Sequence, residues 1–185
     1  ICTLAAKAIK SAGINKKVYA VSRFSDKELI AKLESEGVTV IASDLLQDGA
    51  LESLPDCENI IFMAGRKFGT DGSEYLTWGM NSWLPCMTAK RFSKSKIVVF
   101  SSGNLYPKVP TCSGGVTEDV KPEPVGEYPM SCLARERAFE YAAKALGTSV
   151  CIMRLNYAID LQYGVLHDIA QSILADKPIN LAAMP

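Results

Sequence analysis

The 185-residue sequence predicts an α/β protein with a doubly wound, mostly parallel sheet. Three observations predict it. Short apolar runs rich in Val and Ile alternate with longer segments of helical spacing. The apolar runs are nearly continuous, as suits strands buried on both faces. Gly and Pro punctuate the joints. Elements in this order make strand–helix–strand units, with helices covering both faces of a sheet.

The first segment, 3–12, has helical spacing with no strand ahead of it. An inner strand is therefore expected before residue 1, and both ends of the chain are expected to be cut. "KVYAVS" (17–22) reads as a strand. "DKELIAKLESEG" (26–37) reads as a helix, with Asp26 near its start and Gly37 as its stop. "VTVIAS" (38–43) is a strand, and "QDGALESLP" (47–55) a short helical stretch. "NIIFMAG" (59–65) is a strand. "EYLTWGMNSWLPCMTAKRF" (74–92) is a helix with weak points at Gly79 and Pro85. "KIVVFSS" (96–102) is a strand, and 103–127 a long loop rich in Pro and Gly. "SCLARERAFEYAAKALG" (131–147) is the best helix, ended by Gly147. "SVCIMRL" (149–155) and "VLHDIAQSILAD" (165–176) add a strand and a helix. The whole reads as a single domain over 1–185.

Composition excludes several classes. Lys+Arg and Asp+Glu both count 20, which argues against broad binding to nucleic acid or an anionic membrane. No apolar run reaches the ~20 residues that span a bilayer. No leader segment is visible, so a cytoplasmic setting with free thiols is expected for the six scattered cysteines. His167 is the single histidine and no CxxC pair occurs, so no metal site is expected.

In an open parallel sheet, ligands bind beyond the carboxyl ends of the strands. The residues there are the candidates. Ser22 and Arg23 follow the first strand; Arg23 would pair with a 2′-phosphate, or be a solvated surface arginine. Asp44 and Leu45 follow the second; Asp44 could meet an adenine edge or cap the next turn. Ala64 and Gly65 let a ligand approach the backbone after the third. "SSGNLYP" (101–107) places two hydroxyls and the Asn104 amide after the fourth, and Asn156 and Tyr157 follow the fifth as substrate contacts.

In combination these motifs resemble the extended short-chain dehydrogenase/reductase family, in its NAD-dependent epimerase/dehydratase branch. The carriers are "AVSR", "SDL", "FMAG", Asn81 on the following helix, "VVFSSGNLYP", Tyr128 at the tyrosine of the YxxxK motif, and "MRLNYAID". The resemblance implies a Rossmann-like fold that binds NADP or NAD, with Arg23 tilting the choice to NADP. It places Ser22, Arg23, Asp44, Leu45, Ala64, Gly65 and Asn81 against the cofactor. Asn104, Asn156 and Tyr157 fall on the substrate. It makes Tyr128 the general acid/base, with Ser102 on the same substrate oxygen and a nicotinamide exchanging hydride. The substrate implied is a small molecule, a sugar-like or polar secondary alcohol or its carbonyl, handled by a protein that in this family is often a homodimer.

Two departures stand out. The glycine-rich phosphate loop lies outside the sequence, and the YxxxK lysine is Cys132. A lysine lowers the tyrosine pKa from its ordinary value near 10 and holds the ribose; a thiol at Cys132, in that cofactor-facing position, cannot supply the charge. Arg135, seven residues after Tyr128, could supply it, or could pair with Glu136 or Glu140 on the surface. The rival reading is a degenerate dinucleotide-binding module or redox sensor. Trp78, Met80 and Trp83 read as core or subunit contacts, and "CSGGVTED" (112–119) as a loop.

If Arg23 faces a 2′-phosphate, the intact protein binds NADPH more tightly than NADH, and Arg23→Ala removes most of the difference. One charged hydrogen bond is worth about 1.5–3 kcal/mol, roughly tenfold or more in affinity. Fluorescence titration of both cofactors decides it; equal wild-type affinities overturn it.

Overall fold

A computed structural model describes residues 1–67, 72–156 and 164–179. The chain forms two compact units, Ile1–Asp56 and Cys57–Pro185. Each is α/β with parallel strands. Among the described residues no helix is long and apolar enough to cross a membrane.

In the first unit β1 (Val18–Ser22) pairs in parallel with β2 (Val38–Ala42), Val18 opposite Val38. Helix α1 (Cys2–Ser11) packs on this pair, as does α2 (Lys27–Ser35). Asp26 caps α2, its carboxylate accepting the backbone N–H groups of Glu28 at 2.9 Å and Leu29 at 3.2 Å. Gly37, at φ +82°, turns the chain out of α2 into β2. Ala20, Leu33 and Val38 form the small core. The helix expected over 47–55 is instead a run of turns. Gly49 sits at φ +74°, and the bonds from Ala50 N to Gln47 O and Leu54 N to Leu51 O span only three residues. Leu51 and Leu54 are buried and anchor the run without helical continuity.

In the second unit β3 (Asn59–Phe62), β4 (Lys96–Ser102) and β5 (Ser149–Leu155) form a parallel sheet with β4 in the middle. The segment expected as one helix over 74–92 is three pieces. Helix α3 (Glu74–Trp78) runs into a π-helical turn (Gly79–Trp83), then α4 (Leu84–Arg91). Pro85 has no N–H for the carbonyl four residues back, and the turn before it widens. Trp83 is 64% exposed and so lies outside the core, whereas Trp78 donates its ring N–H to Glu127.

Helix α5 (Glu127–Ala145) starts four residues before the expected Ser131. Gly126 at φ +92° breaks the incoming chain, and Pro129 falls in the first turn, where no donor is needed. Tyr128 therefore belongs to the helix. The buried stripe Cys132, Arg135/Glu136, Phe139 and Ala142 has helical spacing and faces the sheet. Phe139 meets Phe62 of β3 at 5.2 Å between ring centres. The stripe contains a buried ion pair. Arg154 of β5 grips Glu136 with two bonds, Nε at 2.9 Å and Nη2 at 2.8 Å. Glu136 is almost fully buried, so removing Arg154 alone would strand a charge at a cost of roughly 3–5 kcal/mol. Arg154 also lies over the Tyr106 ring at 4.9 Å. It thereby ties α5 to the 3-10 turn Gly103–Leu105 that follows β4. Helix α6 (Val165–Leu174) closes the described chain.

Candidate active site

The carboxyl ends of β3 and β4, the π-helical turn and the first two turns of α5 converge on one point in the second unit. At its centre is the carboxamide of Asn81, fully buried. Its Oδ1 accepts the Arg66 backbone N–H at 2.8 Å and Arg135 Nη2 at 2.8 Å. Its Nδ2 donates to Arg66 O at 2.9 Å and to Ser131 Oγ at 2.9 Å. Ser131 Oγ donates in turn to the Tyr128 carbonyl at 2.8 Å. One side chain thus fixes the loop after β3, the guanidinium of Arg135 and the turn that carries Tyr128.

Arg135 is 6% exposed. Its Nη1 donates to the Phe100 carbonyl at 2.8 Å. Surface pairing with Glu136 or Glu140 does not occur: Glu136 is taken by Arg154, and Glu140 by Arg137 at 2.6 Å. Gly65 makes room for this arrangement. A Cβ there would stand 2.5 Å from Arg135 Nη2 and 3.1 Å from Asn81 Oδ1. A second close approach occurs at Gly103, where a Cβ would fall 2.0 Å from Asn156 Oδ1. That contact puts Asn156 beside the turn that also holds Asn104.

Tyr128 and Arg135 line a cavity of about 300 Å³. Arg66, Lys67 and Ser101 share its wall, and Met63, Phe100 and Leu155 make the apolar part. The Ser102 hydroxyl lies close enough to the Tyr128 phenol to favour its ionised form, and it accepts the Asn104 N–H at 3.2 Å. Burial raises the Tyr128 pKa above the ordinary 10.0, and Cys132 adds to the rise; the Ser102 hydroxyl and the Arg135 charge pull it down. The balance leaves a neutral phenol at physiological pH. Burial likewise raises the Cys132 thiol, so it is protonated. Burial lowers the Arg135 pKa, but a guanidinium keeps its charge in proteins.

Of the residues singled out in the sequence, Ser102, Tyr128, Cys132, Arg135, Asn81, Ala64 and Gly65 come together here. Cys132 has no exposed surface and makes no part of the cavity wall. Asn104 and Asn156 are exposed nearby, and Tyr157 lies outside the described residues. In the first unit Ser22 and Arg23 sit beside Asp44 and Leu45, because the Ser43 N–H bonds the Ser22 carbonyl at 2.8 Å across the strand ends. Asp44 accepts the Leu46 N–H at 3.1 Å, so it caps the following turn. Arg23 is exposed, and its neighbour Phe24 holds φ +46°, a costly value for a non-glycine residue. Sequence reasoning put the Ser101 hydroxyl at the crevice without giving it a role, and missed Arg66 and Lys67 as wall residues. The alternation of β4 is the signal that separates Ser101 from Ser102.

A nicotinamide cofactor fits this donor set in part. Gly65 leaves bare backbone beside a fixed cation at the end of β3. The buried thiol of Cys132 offers a ribose nothing, which leaves Arg135 as the cation nearest Tyr128 in α5.

Comparison with known proteins decides the lineage. The sequence profile of the NAD dependent epimerase/dehydratase family matches residues 3–159. The chain belongs to this family. No curated protein sequence matches it significantly. Among solved structures it is similar to a UDP-glucuronic acid 4-epimerase from Bacillus cereus in complex with NAD. That match has TM-score 0.75 at 19% identity over 95% of this chain and 61% of the other. A putative epimerase from Burkholderia cenocepacia matches with TM-score 0.66 at 20% identity, over 96% and 58%. RMD from Pseudomonas aeruginosa, complexed with NADPH, matches with TM-score 0.60 at 20% identity, over 76% and 54%. The chain thus spans about 60% of the length of the first of these, and the likeness establishes the Rossmann-like fold.

Asn81→Ala removes the bonds to the Arg66 N–H, the Arg66 carbonyl, Ser131 Oγ and one Arg135 donor. At about 1–3 kcal/mol per stranded group, a destabilisation near 3 kcal/mol is expected. Chemical denaturation of the variant measures it. Ser82→Ala, which loses one longer bond of 3.3 Å, serves as the control and shifts stability by less than about 1 kcal/mol.

Proposed function

We propose that this protein is an NAD(P)-dependent oxidoreductase or epimerase acting on a secondary alcohol, or its carbonyl, in a sugar-like small molecule. The observation that carries this reading is that Tyr128 and the Arg135 guanidinium share one cavity wall, with the Ser102 hydroxyl near the phenol. A bound nicotinamide supplies or takes the hydride at the substrate carbon. The chain's own residues handle the proton. Tyr128, neutral at rest, gives its proton to the carbonyl oxygen as that oxygen becomes a hydroxyl. The phenolate left behind is stabilised by the Ser102 hydroxyl and the Arg135 charge until solvent returns the proton. Arg135 thereby takes the electrostatic part that the family gives to lysine. Arg23, exposed at the end of β1, supports NADP as the cofactor form.

A second reading has an observation of its own. The thiol of Cys132 raises the Tyr128 pKa where a lysine would lower it. A family member that binds dinucleotide without turnover would tolerate that.

Tyr128→Phe separates the two. The oxidoreductase reading expects kcat to fall by about 10²–10⁴ with cofactor affinity unchanged; an unchanged rate ends the acid/base role. The pH profile tests the sign. Carbonyl reduction needs the protonated phenol, so its rate holds through neutral pH and falls only as pH rises past the raised Tyr128 pKa, above about 10. Arg135→Gln removes a positive charge and moves that limb to higher pH. Cys132→Lys adds one and moves it lower. Identical limbs in all three proteins overturn the electrostatic role.

We also propose a homodimer. Tyr75 and Trp83 are exposed on one groove with Trp78 and Cys86, an aromatic surface that a second copy would cover. Trp83→Glu is expected to shift sedimentation of the intact protein from dimer to monomer; a wild-type monomer overturns the dimer.

A further inference from the structure

Among the described residues, two non-glycine residues have positive φ: Asp176 at +52° and Phe24 at +46°. An aspartate tolerates the left-handed region, whereas a bulky aromatic residue there is strained. Such strain persists only where the surroundings impose it. Around Phe24 they impose it at both ends. Ser22, the last residue of β1, is pinned to the end of β2 by the Ser43 N–H, which donates to its carbonyl at 2.8 Å. Asp26 is fixed as the cap of α2 by the Glu28 and Leu29 N–H groups. Arg23, Phe24 and Ser25 must bridge these points. In doing so the Phe24 ring packs on the cluster of Ala20, Leu33 and Val38, which come from β1, α2 and β2. Burial of the ring offsets the strain of its backbone.

Arg23, directly before it, is exposed and makes no hydrogen bond or ion pair among the described residues. Nothing along its side chain holds it, so its backbone alone decides where the guanidinium starts. That backbone is set by Ser22 on one side and Phe24 on the other. Two N–H groups at the start of α2 are already taken by the Asp26 carboxylate, so the helix end offers a ligand anion little. Recognition of an anion at the end of β1 falls to Arg23, whose planar fork suits a phosphate.

We propose that Phe24 is a positioning residue for Arg23: its ring, seated on the core of the first unit, locks the left-handed turn that holds Arg23 where it meets a phosphate on the ribose of the dinucleotide. This rests on the NADP reading of Arg23. It adds a residue that sets cofactor choice from inside the unit's core.

The test uses two nucleotides that differ only in that phosphate, adenosine 2′,5′-bisphosphate and adenosine 5′-monophosphate, titrated into the intact protein by calorimetry. Wild type is expected to prefer the bisphosphate by about tenfold or more, the size of one charged hydrogen bond. Phe24→Gly removes the ring, while glycine adopts φ +46° without strain, so the turn itself remains accessible. The preference is expected to fall to about twofold to fivefold, what an exposed and unfixed charge contact retains. Phe24→Leu keeps an apolar anchor and is expected to keep the wild-type preference. Arg23→Ala loses the preference, and adding Phe24→Gly to it is expected to leave the ratio where it is. Thermal unfolding of each variant reports its fold. A merely structural role for Phe24 weakens both nucleotides alike, so an unchanged ratio in Phe24→Gly overturns the proposal while the Arg23 reading stands. A ratio in Phe24→Leu as low as in Phe24→Gly overturns the apolar anchor. A wild-type ratio near one, or no binding of either nucleotide up to about 10 mM, overturns the Arg23 reading and the proposal with it.

Discussion

The second unit is organised around a single buried carboxamide. Asn81 has two lone pairs and two N–H bonds to satisfy, and full burial leaves no water to do it. All four are used, on the Arg66 backbone twice, on Arg135 and on Ser131. Such a centre has one good arrangement, since flipping the amide would face donors with donors. The loop after β3, the π-helical turn and the start of α5 are therefore positioned together. The widened turn is what points Asn81 inward, so the weakness at Gly79 and Pro85 has a use. Gly65 follows from the same constraint, because any side chain there would strike the guanidinium.

The charge pattern follows from that junction. A lysine one turn after the tyrosine would carry its charge on a flexible stem. Here the position holds a buried thiol, and the charge has moved one turn further, onto a side chain anchored at both ends of its fork. The anchored cation stabilises a phenolate less than burial destabilises it, so Tyr128 rests as a proton donor. The Glu136–Arg154 pair makes this possible. By binding both Glu136 oxygens, Arg154 leaves Arg135 to its neutral partners. Two adjacent residues of one helix are thereby sorted into a closed ion pair and an open charge.

The strands and the longer helices were legible, because Val- and Ile-rich runs and a 3.6-residue stripe carry their own period. The helix expected over 47–55 was not there, since buried Leu51 and Leu54 mimic helical spacing while Gly49, at φ +74°, turns the chain just before them. The start of α5 was read late, because Pro129 looks like a breaker and is harmless in a first turn. Ser102 and Tyr128 were legible as a pair through the family resemblance. Ser101 was placed at the same crevice but its separate part was not legible, because two adjacent serines differ only in which face of β4 they take.

The sequence by itself determined the class of fold, the order of its strands and helices, the family, and the replacement of lysine by Cys132. Those depend on local periodicity and on motifs that keep their spacing along the chain. The tertiary structure alone decided where Arg135 goes. On the helix surface it could have paired with Glu140 as easily as turned inward, and sequence spacing permits both. Burial settled it, because Asn81, Phe100, Gly65 and Arg154 come from four separate stretches of chain. Only folding brings their donors, acceptors and empty space to one guanidinium.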